Sequence, residues 1–282
     1  MAKNEIDMKK IILLLSVLWI SVQVNAQTYS WKSTPIDGSR TGCVAPSGDN
    51  VTEALGRFKG KTYVAPNGRQ FDSSSSAAKV AAIVIAAQKD MARVKDVVAY
   101  STEYLDKGYP ESELSNWLID ILIAKTESLM GKKVHMGVTN FGGIRADMPK
   151  GDVILDDLLS MFPFKNYLVY LEHKGSTIRG WLEDMAAGRF QVLGGVKVVA
   201  EDGKLGSVEI DGEPLEDDKI YGVTTVSFLL SGGDGLFMAR DAVSQVDFND
   251  VDVIDAVLEH VYAQTAAGRP IEYKKDGRVV IR

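Results

Sequence analysis

The stretch that constrains this chain most covers residues 138–165, VTNFGGIRADMPKGDVILDDLLSMFPFK. An apolar, strand-like run at 134–138 leads into Asn140, Gly142, Gly143 and Arg145, so two glycines and a forked cation stand where a strand opens into a loop. Glycine lets backbone N–H groups approach an anion or a flat ring closely, and arginine presents a planar fork of five donors to phosphate or ribose oxygens. A Gly-Gly pair after a strand also serves as a plain turn, so the rest of the chain must decide between the two readings.

Apolar periodicity lays out the elements around this loop. Val80, Ile83, Val84, Ala87, Met91 and Val94 recur at three- and four-residue steps and predict a helical stretch from Ala77 onward. Residues 97–101 read as a strand. A second helix is predicted over 111–130, with Leu114, Trp117, Leu118, Ile121 and Leu122 on one stripe. Residues 156–161 predict a short helix and 167–172 a strand; 176–187 predict a helix with Ser176 as N-cap and Gly188 as its stop. Strands are expected at 196–200 and 207–210, joined through Asp202-Gly203, and again at 220–226. Asn249 is placed to cap a last helix carrying Val253, Ile254, Val257, Leu258, Val261 and Tyr262, which ends before Gly268. Residues 271–281 read as a hairpin turning at Asp276-Gly277. Helices and strands are interspersed without a regular βαβ repeat, which predicts an α+β domain with a mixed sheet over 77–282.

Ahead of this domain the pattern changes. Residues 27–76 are rich in Gly, Ser, Asp, Asn and Pro and read as an irregular N-terminal extension with one hairpin, near 61–65 and Pro66-Asn67-Gly68. Lys9 and Lys10 precede an apolar run over 11–24, and Val24-Asn25-Ala26 is a small-x-small cleavage pattern. Residues 1–26 are therefore expected to be a secretory signal peptide and the mature chain to be exported, periplasmic or secreted. No later segment approaches the roughly 20 apolar residues of a membrane span. Cys43 is the only cysteine, so no intramolecular disulfide can form. With 32 Lys and Arg against 38 Asp and Glu and no basic cluster, the sequence argues against a polymeric nucleic-acid partner.

The pattern N-x-G-G-I-R-A, a G-D-V turn and then Pro163-Phe164 resembles the C-terminal, substrate-binding domain of the 5′-nucleotidase / UDP-sugar hydrolase family. A second block at 221–236, YGVTTVSFLLSGGDGL, resembles that family's other signature, and two blocks in the right order are far more specific than either alone. Glu113-Leu114-Ser115-Asn116, with Asp120 a turn further on, resembles the family's opening helix. The resemblance covers roughly residues 94–282 and implies a four-layer α/β/β/α arrangement. It also implies roles. Phe164 and Phe228 match the phenylalanines that sandwich a nucleobase, a stack worth about 1–3 kcal/mol per base. Asp234 matches the acceptor of ribose hydroxyls, Asn140 and Gly143 match residues at the base edge, and Arg145 matches one that reaches ribose or phosphate. Without the family, each phenylalanine would be read as a core residue and Asp234 as a turn aspartate. Phe162 is expected in the core. Pro110 stands where the family often has a phosphate-reaching arginine, so phosphate is expected to add little affinity.

What the chain lacks is as informative. The family's metallophosphoesterase half uses D-x-H, G-D, N-H-[DE] and H-x-H motifs to hold two metal ions. His135, His173 and His260 stand in none of these contexts and read as ordinary strand or helix residues. No G-x-S-x-G elbow or phosphate-binding P-loop is present either. The leading expectation is a nucleotide- or nucleoside-binding domain with no catalytic or metal-binding residue of its own. It would act with a separately encoded metallophosphoesterase chain that carries the divalent metals. The alternatives are a stand-alone hydrolase with an unrecognised active site and a structural protein that keeps the fold without the ligand.

Overall fold

The computed structural model describes residues 51–88 and 90–282. The expected signal peptide, Cys43 and residues 27–50 of the extension lie outside the described residues. The described residues divide into two compact units, one ending at Ile85 and the other starting at Ala86.

In the first unit a short helix, α1 (Val51–Leu55), precedes β1 (Arg57–Lys59), β2 (Thr62–Val64) and β3 (Gln70–Asp72). Where the sequence suggested one hairpin, an antiparallel sheet of three strands forms. Tyr63 explains why. Its buried ring lies 5.4 Å from Phe58 and 6.1 Å from Phe71, so one aromatic on the middle strand holds both neighbours. Its hydroxyl donates to the Leu55 carbonyl at 2.8 Å. Helix α2 (Ser76–Ala87) starts on Ser75, whose hydroxyl accepts from the Ala78 N–H at 3.2 Å. The apolar period beyond it belongs to a 3-10 turn, Asp90–Lys95, which keeps the i, i+3 spacing in a tighter coil.

The second unit is built on a five-stranded mixed sheet. Its elements are β4 (Val97–Ser101), α3 (Glu113–Met130), β5 (Met136–Thr139), β6 (Gly151–Ile154), α4 (Leu155–Met161), β7 (Tyr167–Lys174) and α5 (Gly175–Ala187). There follow β8 (Val192–Gly194), β9 (Val196–Glu201), β10 (Lys204–Ile210), β11 (Glu213–Pro214), β12 (Ile220–Val226), β13 (Ser244–Asp252), α6 (Val253–Ala266) and β14 (Val279–Ile281). The main sheet has the order β13-β7-β12-β5-β8 and a four-stranded sheet the order β11-β10-β9-β14, while β4 pairs with β6. Helix α3 buries the predicted stripe, Leu114, Trp117, Leu118, Ile121 and Leu122, on the main sheet. It sits so close that a Cβ on Gly137 would lie 2.8 Å from Ile119, and one on Gly194 2.8 Å from Ile123.

One pairing positions the site. β5 and β12 are parallel neighbours, Met136 opposite Val223, so their C-terminal ends emerge at the same edge of the sheet. β7 runs antiparallel to β12, with Leu168 opposite Val226, so its N-terminal end lies there too. The segments carrying Asn140–Arg145, Phe164 and Phe228–Asp234 therefore meet at one end of the sheet.

Three local expectations are corrected. Ser176 does not cap α5, which starts at Gly175; the Gly175 and Ser176 N–H groups donate instead to the Lys219 and Asp217 carbonyls, both at 2.9 Å. Asn249 lies inside β13, and α6 starts after Asp252, whose N–H donates to the Asp255 carboxylate at 3.0 Å. The tail is no hairpin, because β14 pairs in parallel with β9 and Ile271 bridges to Ser101. Arg278 supplies the reason. Its buried guanidinium bonds both oxygens of Asp120 at 2.8 and 2.9 Å and both of Asp276 at 2.9 and 2.8 Å, drawing the tail onto α3. Tyr273 donates to the same Asp120 carboxylate, and burial with that bond pushes its pKa up. The guanidinium holds the Asp276 carboxyl below its usual value. This contribution to stability is present above the ordinary carboxylate pKa and is lost as the pH falls below it.

Arg278→Ala is expected to cost about 1.5–3 kcal/mol, the range for hydrogen bonds to charged groups. Arg278→Lys should recover only part of this, because an ammonium cannot fork onto two carboxylates. Urea unfolding measures both, and wild-type stability in Arg278→Ala would show that the tail is not held in this way.

Candidate ligand-binding site

Asn140 ends strand β5 with its side chain almost fully buried, and its amide donates to the Asp234 carboxylate at 2.8 Å. That bond ties the loop after β5 to the loop after β12. The two glycines make room for it. A Cβ on Gly143 would lie 2.9 Å from Asn140 Oδ1, and one on Gly142 would lie 3.2 Å from its Nδ2. Neither glycine has positive φ, so space rather than backbone freedom is what the Gly-Gly pair supplies.

The second loop is shaped by a different constraint. Phe228 lies in the 3-10 turn Ser227–Leu229, where Leu229 is fully buried and Phe228 is 45% exposed. A Cβ on Gly233 would lie 2.2 Å from the Phe228 carbonyl oxygen and 2.7 Å from its ring, so only glycine lets the chain turn back over that residue. Asp234 follows in the left-handed region at φ 49°, which a non-glycine residue occupies only when its surroundings hold it there. The bond from Asn140 is one such constraint.

Phe162 is 4% exposed and belongs to the core, as expected, whereas Phe164 two residues on is 45% exposed. Arg145 is exposed; its guanidinium carbon is 5.8 Å from the centre of the Phe164 ring, and its backbone N–H donates to Met161 at 2.9 Å. Among the described residues neither Phe164 nor Phe228 packs on another aromatic ring. The structure thus joins Asn140, Gly143 and Asp234 directly, and Arg145 with Phe164. Phe228 joins the group through its own loop.

A cleft of about 720 Å³ opens beside Gly142 and Asp234. It is also lined by Lys107, Tyr109, Phe141, Asp184, Arg189 and Gln191, none of which the sequence singled out. They come from three segments far apart in the chain, and only Phe141 falls inside a motif, as the variable position of N-x-G-G-I-R-A. Tyr109 is pinned there: its hydroxyl accepts from the Phe190 N–H at 3.3 Å, and its ring packs edge-on to Phe141 at 6.0 Å. The Arg189 guanidinium lies 4.8 Å from the same ring. Lys107 donates to the Ile144 carbonyl at 2.8 Å, so two cations flank the cleft close to Pro110. Among the described residues no group of three or more His, Cys, Asp or Glu is placed to hold a metal ion. His135 accepts from the Gly222 N–H at 2.9 Å, and His260 packs edge-on to Trp117. Burial lowers the pKa of both.

The sheet order and the two tied loops place a cleft at one end of a mixed-sheet α+β scaffold. The chain belongs to the family of the 5′-nucleotidase C-terminal domain, which matches residues 84–241, more than half of its length, and its fold is the four-layer α/β/β/α type of that family. It is 36% identical over 104 residues to the silent protein UshA(0) of Salmonella typhimurium, covering 35% of this chain and 19% of that one. Protein UshA of Escherichia coli is 32% identical over 129 residues, covering 43% of this chain and 24% of that one. The 5′-nucleotidase precursor of Thermus thermophilus superposes with a TM-score of 0.62 at 25% identity, over 72% of this chain and 43% of that one. The match therefore spans about a fifth to a quarter of these curated relatives and under half of the Thermus chain. Among the described residues no helix is long and apolar enough to cross a membrane.

Gly233→Ala is expected to displace Phe228, because the carbonyl it would strike is backbone and cannot rotate away. Overpacking of this kind costs about 1–3 kcal/mol. Gly143→Ala meets only the end of the Asn140 side chain and should cost less stability while breaking the Asn140–Asp234 bond. Thermal melts with the Asn140 side-chain amide followed by NMR distinguish the two, and equal melting temperatures for Gly233→Ala and wild type would contradict the reading.

Proposed function

We propose that this chain is the nucleotide- or nucleoside-recognition half of a 5′-nucleotidase. Its family membership supports the nucleotide class, and one observation carries the reading. Phe164 and Phe228, which would be core residues in an ordinary domain, each leave nearly half of their surface exposed at the same end of the sheet. Exposed rings on two segments that leave the same end of the sheet suit a flat, aromatic ligand, since stacking is sequence-tolerant and needs only a π-face. In this reading the base lies between the two rings and Asp234 accepts hydrogen bonds from the ribose hydroxyls. Asn140 and Gly143 meet the base edge, and Arg145 reaches the ribose or the phosphate. Asn140 has a second task, holding Asp234 by its amide, so its loss should disturb both base and sugar.

Hydrolysis, in this proposal, is left to a partner. Phosphate-ester cleavage is among the slowest uncatalysed reactions and the family's phosphoesterase half meets it with two metal ions. In the proposal those metals, and the catalytic groups, belong to a separately encoded metallophosphoesterase chain, and both proteins act after export.

Phe164→Ala and Phe228→Ala should each weaken adenosine binding by about 1–3 kcal/mol, roughly 5- to 150-fold, in calorimetric titrations. Because both rings are half exposed, neither substitution should approach the roughly 3–5 kcal/mol that loss of a core phenylalanine costs in stability. A collapse of the melting temperature with unchanged affinity per folded molecule would contradict the assignment. The isolated chain should turn over AMP no faster than buffer with added manganese or zinc. Metal-dependent turnover abolished by an Asp or His substitution within this chain would show that it carries an active site of its own.

A further inference from the structure

The cleft beside Gly142 and Asp234 carries two cations that no carboxylate of the domain neutralises. Elsewhere in the domain Lys125, Lys132, Arg179 and Arg278 pair with carboxylates at 2.5 to 2.8 Å. Lys107 and Arg189 form no ion pair with any described residue. Both are nevertheless held at the cleft. The Lys107 ammonium donates one proton to the Ile144 carbonyl at 2.8 Å, which leaves two for a ligand. The Arg189 guanidinium lies 4.8 Å from the centre of the Tyr109 ring, itself fixed by the Phe190 N–H, and none of its five donors has a partner among the described residues. A cation held by a ring or a carbonyl, with its donors unspent, is arranged to meet an anion from outside.

We propose that Lys107 and Arg189 are specificity-determining residues that bind the phosphate of a nucleoside 5′-monophosphate, so that the chain prefers nucleotides to nucleosides. The nucleoside part of this rests on the reading given above. Asp234 lines the same cleft. A ribose that sets its 2′ and 3′ hydroxyls on that carboxylate leaves its 5′ carbon, on the other side of the sugar ring, free to carry a phosphate along the cleft. The volume, about 720 Å³, is within the range of small-molecule sites. Pro110 removes one arginine from this end of the domain, and two cations offset it: Lys107 from three residues earlier and Arg189 from the segment after α5. Asp184 lines the cleft as well and has no ion-pair partner among the described residues. Its charge opposes a phosphate, so the cleft binds the anion below its full capacity.

The test is calorimetric titration of the full chain with AMP, adenosine and pyrophosphate at low and high salt. Wild type should bind AMP about tenfold more tightly than adenosine at low salt, and salt should shrink that ratio. Lys107→Gln and Arg189→Gln should each lower the ratio about threefold, the worth of an exposed ion pair, and the double variant should bring it near one. Arg189→Lys should keep part of it, and Asp184→Asn should raise it. Arg282→Gln, an exposed cation outside this cleft, should leave it unchanged. Adenosine binding with a wild-type ratio near one overturns the proposal and leaves the nucleoside reading standing. A ratio unchanged in both Gln variants also overturns it. If adenosine does not bind, yet pyrophosphate does and weakens in both Gln variants, the anion site stands and the nucleoside reading fails. No binding of any of the three overturns both.

Discussion

The hydrogen bond from the Asn140 amide to the Asp234 carboxylate joins two loops 94 residues apart in sequence, and the rest of the site follows from it. It stands at the end of two parallel strands, where backbone pairing stops and only side chains can keep the loops in register. A hydrogen bond to a charged group, here donated by a buried amide to an exposed carboxylate, is among the stronger ones available. It also bonds Asp234 in a left-handed conformation that aspartate enters more readily than most residues. The glycines at 142, 143 and 233 clear the space these side chains need. Here glycine acts through its missing Cβ.

The sheet supplies the other half of the arrangement. Parallel β5 and β12, with β7 antiparallel beside them, bring three connections to one edge, so residues near 140, 164 and 228 become neighbours without any of them being close in sequence. Helix α3 packs tightly on the sheet through Gly137 and Gly194, fixing the strand that Asn140 follows. Arg278 anchors the C-terminal tail to that same helix through Asp120. The strands are closely packed before the loops leave them, and close packing favours a preorganised site.

Much of this was legible in the sequence, for identifiable reasons. The stripe of α3, the strands at 97–101 and 220–226 and the core position of Phe162 follow from local periodicity, and local periodicity is what burial selects. The family blocks N-F-G-G-I-R and G-G-D-G named the two loops. What could not be read depends on partners distant in the chain. Ser176 looks like a cap, but the backbone of the 217–219 turn satisfies the helix start. The tail looks like a hairpin because nothing local reveals that Arg278 will bury itself against Asp120. Lys107, Tyr109 and Arg189 carry no motif, and only the fold gathers them around the cleft.

Phe228 stands on one of the two loops that Asn140 and Asp234 tie and Phe164 on the segment before β7, and the proposal has both rings meet a flat base. The most direct measurement is the structure of the chain bound to adenosine. The account predicts the base stacked against both Phe164 and Phe228, with the ribose hydroxyls on Asp234. A base lodged instead against Tyr109 and Arg189 in the neighbouring cleft, with both phenylalanines free, would contradict it.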